Sequence, residues 1–198
     1  HCQQHKHKEK CAESGAYNSS ASSTYSYLGD HFNITYVDGT CASGDYARDT
    51  MSISGITLKN FQFGVAHEVS STDGILGIGY PKNEVQVGRA KMTPYANLPQ
   101  RLADEGIIAS PAYSLWLNNL NSASGNILFG GIDTTKYEGS IKSIPVYPNQ
   151  RRGNVTSFTV AFTSLAASSS SGTDTLTQKR AGFAPACENR KVQGRAQN

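Results

Sequence analysis

The sequence predicts a mostly β protein, and three observations carry that expectation. Apolar residues recur with a period of two over short runs, the pattern of half-buried strands. Nineteen glycines and several Ser/Thr-rich runs punctuate those stretches, as turn-rich β folds require. A stretch of helical spacing, 95–105, is short. A length of 198 residues allows one sizeable domain or two small ones.

The elements follow in chain order. FNITYVDGTCASGDYARDTMSI, residues 32–53, reads as two strands around a turn. Phe32, Ile34 and Tyr36 alternate with Asn33 and Thr35, and Tyr46, Met51 and Ile53 lie along the returning arm. Asp38-Gly39 is expected to be a two-residue turn with both positions at positive φ. Residues 56–69 alternate through Ile56, Leu58, Phe61, Phe63 and Val65. STDGILGIGY, 71–80, is apolar and spaced by glycines that let backbones pass closely.

The helix is expected over 95–105, with Tyr95, Leu98 and Leu102 on one face and Gly106 as its stop. Strands follow at 112–119 and 126–133, joined by a turn at 121–125. Residues 142–147 and 157–162 continue the β pattern, and SSSSG, 168–172, is a loop tip. Gly130-Gly131 reads as strand geometry rather than phosphate binding, because no helix start follows a GxGxxG pattern. His31 and His67 belong to no motif and are expected at the surface.

The net charge of +3 is unevenly spread. Residues 1–10 hold three Lys against one Glu, and 178–198 hold five Lys/Arg against one Glu. The remaining 11–177 carry ten basic and thirteen acidic side chains, a mildly acidic middle. The basic ends show no aromatic interleaving and no amphipathic period, which argues against nucleic acid or a membrane surface as partner and for solvated chain. No run approaches the roughly 18 apolar residues of a membrane span. HCQQHKHKEK does not read as a signal peptide, so either a targeting segment has been removed or the chain starts inside a longer one.

Three N-x-[Ser/Thr] acceptors, at Asn18, Asn33 and Asn154, favour the secretory route, where the four cysteines are compatible with disulfides. Cys2, His5, His7 and Cys11 leave three readings open: a disulfide loop between Cys2 and Cys11, an incidental sequence, or a zinc site. The spacing matches no common zinc finger, so the loop is preferred and no metal is expected. Cys41 and Cys187 have no evident partner.

ITYVDGT, STDGILGIGYP, LPQRLADEGIIASPAYSLWL and ILFGGIDTTKYEGSIKSIPV come in the order and approximate spacing of the pepsin-like aspartic proteases. The resemblance runs from about Cys11 to Thr177, and VDGTCASGDY with the Cys2–Cys11 loop is most similar to the fungal yapsin and candidapepsin-like branch. It implies a pepsin-like acid-protease fold. Residues 1–11 would form an N-terminal Cys loop, 12–142 most of the N-terminal lobe, 143–177 the start of the C-terminal lobe, and 178–198 a basic unmatched tail.

By that resemblance, hairpin 32–53 is the flap that closes over an extended peptide. Tyr36 falls on the flap tyrosine walling the pocket for the residue before the scissile bond, Asp38 and Gly39 at the tip, and Ile75 on the same pocket. A two-stranded ribbon can open, and a glycine tip lets a peptide approach. The resemblance also implies a monomer without cofactor, secreted or held at the cell surface, acting on peptide or protein substrates.

Catalysis in this family needs two Asp-[Thr/Ser]-Gly loops, whose carboxylates share one proton because both cannot ionise so close together. This chain offers Asp49-Thr50-Met51, Asp133-Thr134-Thr135 and Asp174-Thr175-Leu176, each without the glycine, and Asp73-Gly74, where threonine precedes. No catalytic residue is therefore assigned, and both aspartates are expected outside this chain. The expectation is an aspartic-type endopeptidase by family, present as an inactive truncated form. The alternative is a non-catalytic homologue that binds peptides or proteins through the flap.

Overall fold

A computed structural model describes residues 15–36, 39–70, 74–148, 153–177 and 181–183. The chain divides into two compact units after Ser140. The first is built on a three-stranded antiparallel sheet, β1 (Ser26–Thr35), β2 (Cys41–Ile53) and β3 (Ile56–Val69), in that spatial order. As the central strand, β2 is covered on both faces: neighbouring Tyr46 and Ala47 are both buried.

The β1–β2 hairpin forms, with Phe32, Asn33, Ile34 and Thr35 opposite Gly44, Ser43, Ala42 and Cys41. Its turn differs from the two-residue expectation. Tyr36 N–H donates to Thr40 O at 2.7 Å and Gly39 N–H donates to Tyr36 O at 3.1 Å, so three residues connect the arms. Gly39 takes the positive φ, +88°, that the last position of such a connection needs. The two-residue turn with both positions at positive φ lies instead at Ser54-Gly55, between paired Ile53 and Ile56.

The alternation of β3 slips phase between Leu58 and Phe61, and a bulge accounts for it. Met51 faces Leu58 and Asp49 faces Phe61, leaving Lys59 and Asn60 opposite Thr50 alone. Asn60 adopts φ +53°, and both Leu58 and Phe61 thereby reach the core. That core is Leu58, Phe61, Leu98 and Leu102, with Met51, Ile53, Ile108 and Phe129 packed against it.

Two short helices follow, α1 (Val85–Gly88), which lies against β1, and α2 (Leu98–Asp104), which supplies Leu98 and Leu102 to the core. The second starts three residues later than the predicted 95: Asn97 accepts from Gln100 N–H as N-cap, and Pro99 sits in the first turn. Tyr95 therefore precedes the helix rather than sharing its face. A hairpin of β4 (Tyr113–Trp116) and β5 (Asn126–Phe129) completes the unit, its turn braced by Asn118 Nδ2 donating to Ser122 Oγ at 2.7 Å.

The second unit pairs β6 (Val160–Phe162) with β9 (Ala181–Phe183), and β7 (Leu165–Ser169) with β8 (Gly172–Thr177). The predicted loop tip is the Ser170-Ser171 turn between paired Ser169 and Gly172. Two expectations are corrected. Residues 142–147 form no strand, because Pro145 cannot donate to a ladder, and one bond, Tyr147 N–H to Thr159 O at 2.7 Å, remains. Three residues of the expected unmatched tail, Ala181–Phe183, pair with β6.

Candidate functional site

The hairpin stands on an aromatic run beneath β1. The Phe32 ring crosses β2 to lie on Gly64 of β3, so close that a Cβ there would meet it at 2.7 Å; only glycine permits this. Phe32 meets Tyr46 edge to face at 5.5 Å between centroids, and Tyr46 meets Tyr95 at 6.1 Å. Among the described residues the buried Tyr46 hydroxyl makes no well-formed hydrogen bond, and burial pushes its pKa up to about 12.

A polar cluster surrounds that run. Gln86 is buried, its amide donating to Thr93 O and accepting from Gln62 Nε2 at 3.1 Å. Asn97, also buried, donates to Gly79 O at 2.6 Å. Glu84 accepts from Tyr95 and Asn97, and its burial raises its pKa. Burial raises Tyr95 as well, with the nearby Glu84 charge adding to it.

Arg89 ties α1 to the outer face of β1 through Asn33 and Thr35. On the same side, His67 of β3 meets Asp45 of β2 at 2.5 Å, and His31 meets Asp30 at 3.0 Å; both histidines are exposed, as expected.

Tyr36 is half-buried at the hairpin end, and burial raises its phenol pKa. Gly39 is exposed at the tip, and Asp38 lies outside the described residues. Ile75 is 64% exposed in a stretch without regular secondary structure. The glycines around it admit no close neighbour: nothing lies within 4 Å of a Cβ at Gly74, Gly77 or Gly79. The expected close backbone passage is therefore not made among the described residues. Two clefts of about 490 Å³ flank the sheet, one beside Phe32, Asp45 and His67, the other beside Tyr46, Gln86 and Tyr95; neither is lined by Tyr36 or Ile75.

The aspartates of the three glycine-less triplets have separate duties. Asp49, buried in β2, accepts from Thr24 Oγ1, from Tyr17 Oη at 2.6 Å, from Ser22 Oγ at 2.9 Å and from Thr50 N–H at 2.7 Å. Those donors, Thr24 first, hold its pKa well below the usual carboxylate range. Asp133 caps the turn Thr134–Lys136, accepting from Thr135 Oγ1 at 2.6 Å and Thr135 N–H at 3.0 Å, which lowers its pKa. Asp174 lies opposite Ala167 in the β7–β8 ladder. Sequence reasoning missed the Asp49 hub; the hydroxyl-rich run YNSSASST, 17–24, was its visible signal.

Among the described residues no three His, Cys, Asp or Glu side chains are placed to hold a metal. Cys2, His5, His7, Cys11 and Cys187 lie outside them, and Cys41 is exposed and has no disulfide partner among the described residues. Asn18, Asn33 and Asn154 are all exposed.

The family profile "Eukaryotic aspartyl protease" matches residues 1–180. A "Probable aspartic-type endopeptidase opsB" from Aspergillus oryzae is 50% identical over 163 residues, 82% of this chain and 33% of the relative. "Secreted aspartic protease 6" from Candida albicans is 46% identical over 69% of this chain and 31% of its own length. The crystal structure of an aspartic proteinase from Irpex lacteus superposes with a TM-score of 0.61 at 26% identity, covering 69% of this chain and 41% of that one. This chain thus spans about a third of the curated relatives it matches. With a mostly β architecture resembling a pepsin-like proteinase and a family match over nearly its whole length, the chain belongs to the eukaryotic aspartyl proteases.

Proposed function

We propose that this chain is the flap-bearing part of a secreted, fungal-type aspartic endopeptidase that cleaves extended peptides at acid pH. What supports the reading is the β1–β2 hairpin, set in a chain matched to the family over residues 1–180. Tyr36 walls the substrate pocket and Ile75 lines it, while Asp38 and Gly39 offer hydrogen bonds to the peptide from the tip. The carboxylate pair, one member acting as base on water and the other as acid, belongs to parts of the protein beyond these residues. In this reading 12–142 falls in the N-terminal lobe and 143–177 opens the C-terminal one. The secretory setting carries a Cys2–Cys11 disulfide, glycans on exposed asparagines and a monomeric state.

Recovering the full transcript and expressing its product tests the proposal. Asp-Thr-Gly upstream and Asp-[Thr/Ser]-Gly downstream, with acid peptide hydrolysis blocked by a statine-type inhibitor, is the expected result. A complete reading frame lacking both triplets, whose product still binds peptides, would favour the non-catalytic homologue. Glycine-less Asp49, Asp133 and Asp174 are the observation behind that second reading.

A further inference from the structure

Asn33-Ile34-Thr35 on β1 is an acceptor sequence for N-linked glycan, and a single residue holds both of its polar side chains. Arg89 donates from one guanidinium nitrogen to Asn33 Oδ1 and from the other to Thr35 Oγ1 at 3.1 Å. A guanidinium cannot accept, so the Asn33 oxygen must face Arg89 and Nδ2 is turned away from it. The backbone is held as well: Asn33 and Thr35 pair with Ser43 and Cys41, with Ile34 half-buried between them.

We propose that Asn33 is a glycan acceptor open only before folding: the β1–β2 ladder and the Arg89 clamp close it afterwards. This rests on the secretory reading above. The transfer joins Nδ2 to the anomeric carbon of a lipid-pyrophosphate-linked oligosaccharide. The carbon–oxygen bond to pyrophosphate breaks, the lipid pyrophosphate leaves with its electron pair, and an Nδ2 proton passes to a base of the transferase. That enzyme must engage the amide and the hydroxyl two residues on together, and in the folded sheet both belong to Arg89. A glycan already on Nδ2 leaves Oδ1 free, so the clamp still forms behind it and projects the sugar from the outer face of the hairpin.

Asn18 supplies the contrast. Asn18 and Ser20 are both exposed in a single 3₁₀ turn, and the Asn18 side chain makes one local bond, accepting from Ser20 N–H at 3.1 Å. It stays available after folding.

The test uses the unglycosylated full chain, purified oligosaccharyltransferase and its lipid-linked donor, with glycopeptides quantified by mass spectrometry. A synthetic peptide of residues 28–40 is the unfolded reference. The folded chain is expected to be modified at Asn18, with Asn33 on the order of tenfold slower than in the peptide, as for a site reached only by local opening. Arg89→Ala should recover much of that loss with an unchanged circular dichroism spectrum, and Arg89→Lys, which keeps the charge but only one donor nitrogen, less. Should Arg89→Ala unfold the chain, the Arg89→Lys comparison decides. Equal rates at Asn33 in folded chain and peptide, or no response to either Arg89 variant, would overturn the proposal. The assay is independent of compartment; the secretory reading fails separately, if chain produced in a fungal host never reaches the medium.

Discussion

Tyr17 and Asp49, 32 positions apart, share a 2.6 Å hydrogen bond that fastens the segment before β1 onto the central strand of the sheet. The Tyr17 ring stands edge-on to Phe63 at 5.1 Å, so the phenol is positioned from two strands. Ser22 and Thr24 complete the attachment through the same carboxylate. An aspartate whose triplet suggested chemistry is thereby a structural fastener, and its hydrogen-bond donors favour the ionised form.

Because the folded state lowers the Asp49 pKa, its contribution is fully present above the unfolded value, about 3.9, and is lost as pH falls through the folded one. Asp49→Asn should lower the thermal midpoint more at pH 7 than at pH 3. An equal drop at both would show that the ionised form is not what the four donors hold.

Glu84 has the opposite sign. Burial raises its pKa, so its contribution is fully present below the unfolded value, about 4.3, and is lost as pH rises through the folded one. Glu84→Gln keeps an acceptor for Tyr95 and removes the charge. The variant should gain stability near pH 7 and little at pH 3.5, read by urea unfolding at the two values.

Asn60 is a residue with a Cβ at φ +53°, on a bulge that brings Leu58 and Phe61 to the same core. Asn60→Gly should be neutral or stabilising, whereas Asn60→Val should cost about 1–2 kcal/mol. Chemical denaturation of the pair settles it: a harmless valine would mean the bulge does not exist in solution.

The apolar core is small. Among the described residues six apolar side chains are buried, against twenty-one large apolar ones that are exposed. Leu98→Ala, at a fully buried site, should cost roughly 2–5 kcal/mol, a large part of the roughly 5–15 kcal/mol that holds a domain folded. The isolated chain should then aggregate, and a sharp cooperative transition for this variant in monodisperse solution would refute the estimate of so thin a core.

Peptide hydrolysis supplies the functional check. The 198-residue polypeptide alone should cleave no peptide at any pH, since no Asp-[Thr/Ser]-Gly loop is present. On the proposed function, Tyr36→Ala in the full-length endopeptidase should lower kcat/KM for peptides roughly 10- to 200-fold. Pepstatin-sensitive cleavage by the short chain would contradict the first expectation, and an unaltered kcat/KM the second.

The two arms of the hairpin, the long third strand and the Leu98–Leu102 helix were legible because each is written in a local period. The bulge was not read, although its signal, the phase slip from Leu58 to Phe61, stands in the sequence. The three-residue connection after Tyr36 was not legible, because Asp-Gly suits several turns and the ladder chooses among them. Nor was the exposure of Ile75, since an apolar run with glycines reads as packed wherever its neighbours lie.

Local sequence by itself decided the mostly β class, the family motifs in order, and the absence of the catalytic triplets. Tertiary structure alone decided which carboxylate became the hub and which arginine closed the sequon. Tyr17 and Asp49 lie 32 positions apart, and Arg89 and Asn33 lie 56 apart. Periodicity is a property of a window of about ten residues, set by which face of one element is buried. Which donor meets which acceptor depends on how whole strands register and where a helix lands on them, and that is set only when the chain closes on itself.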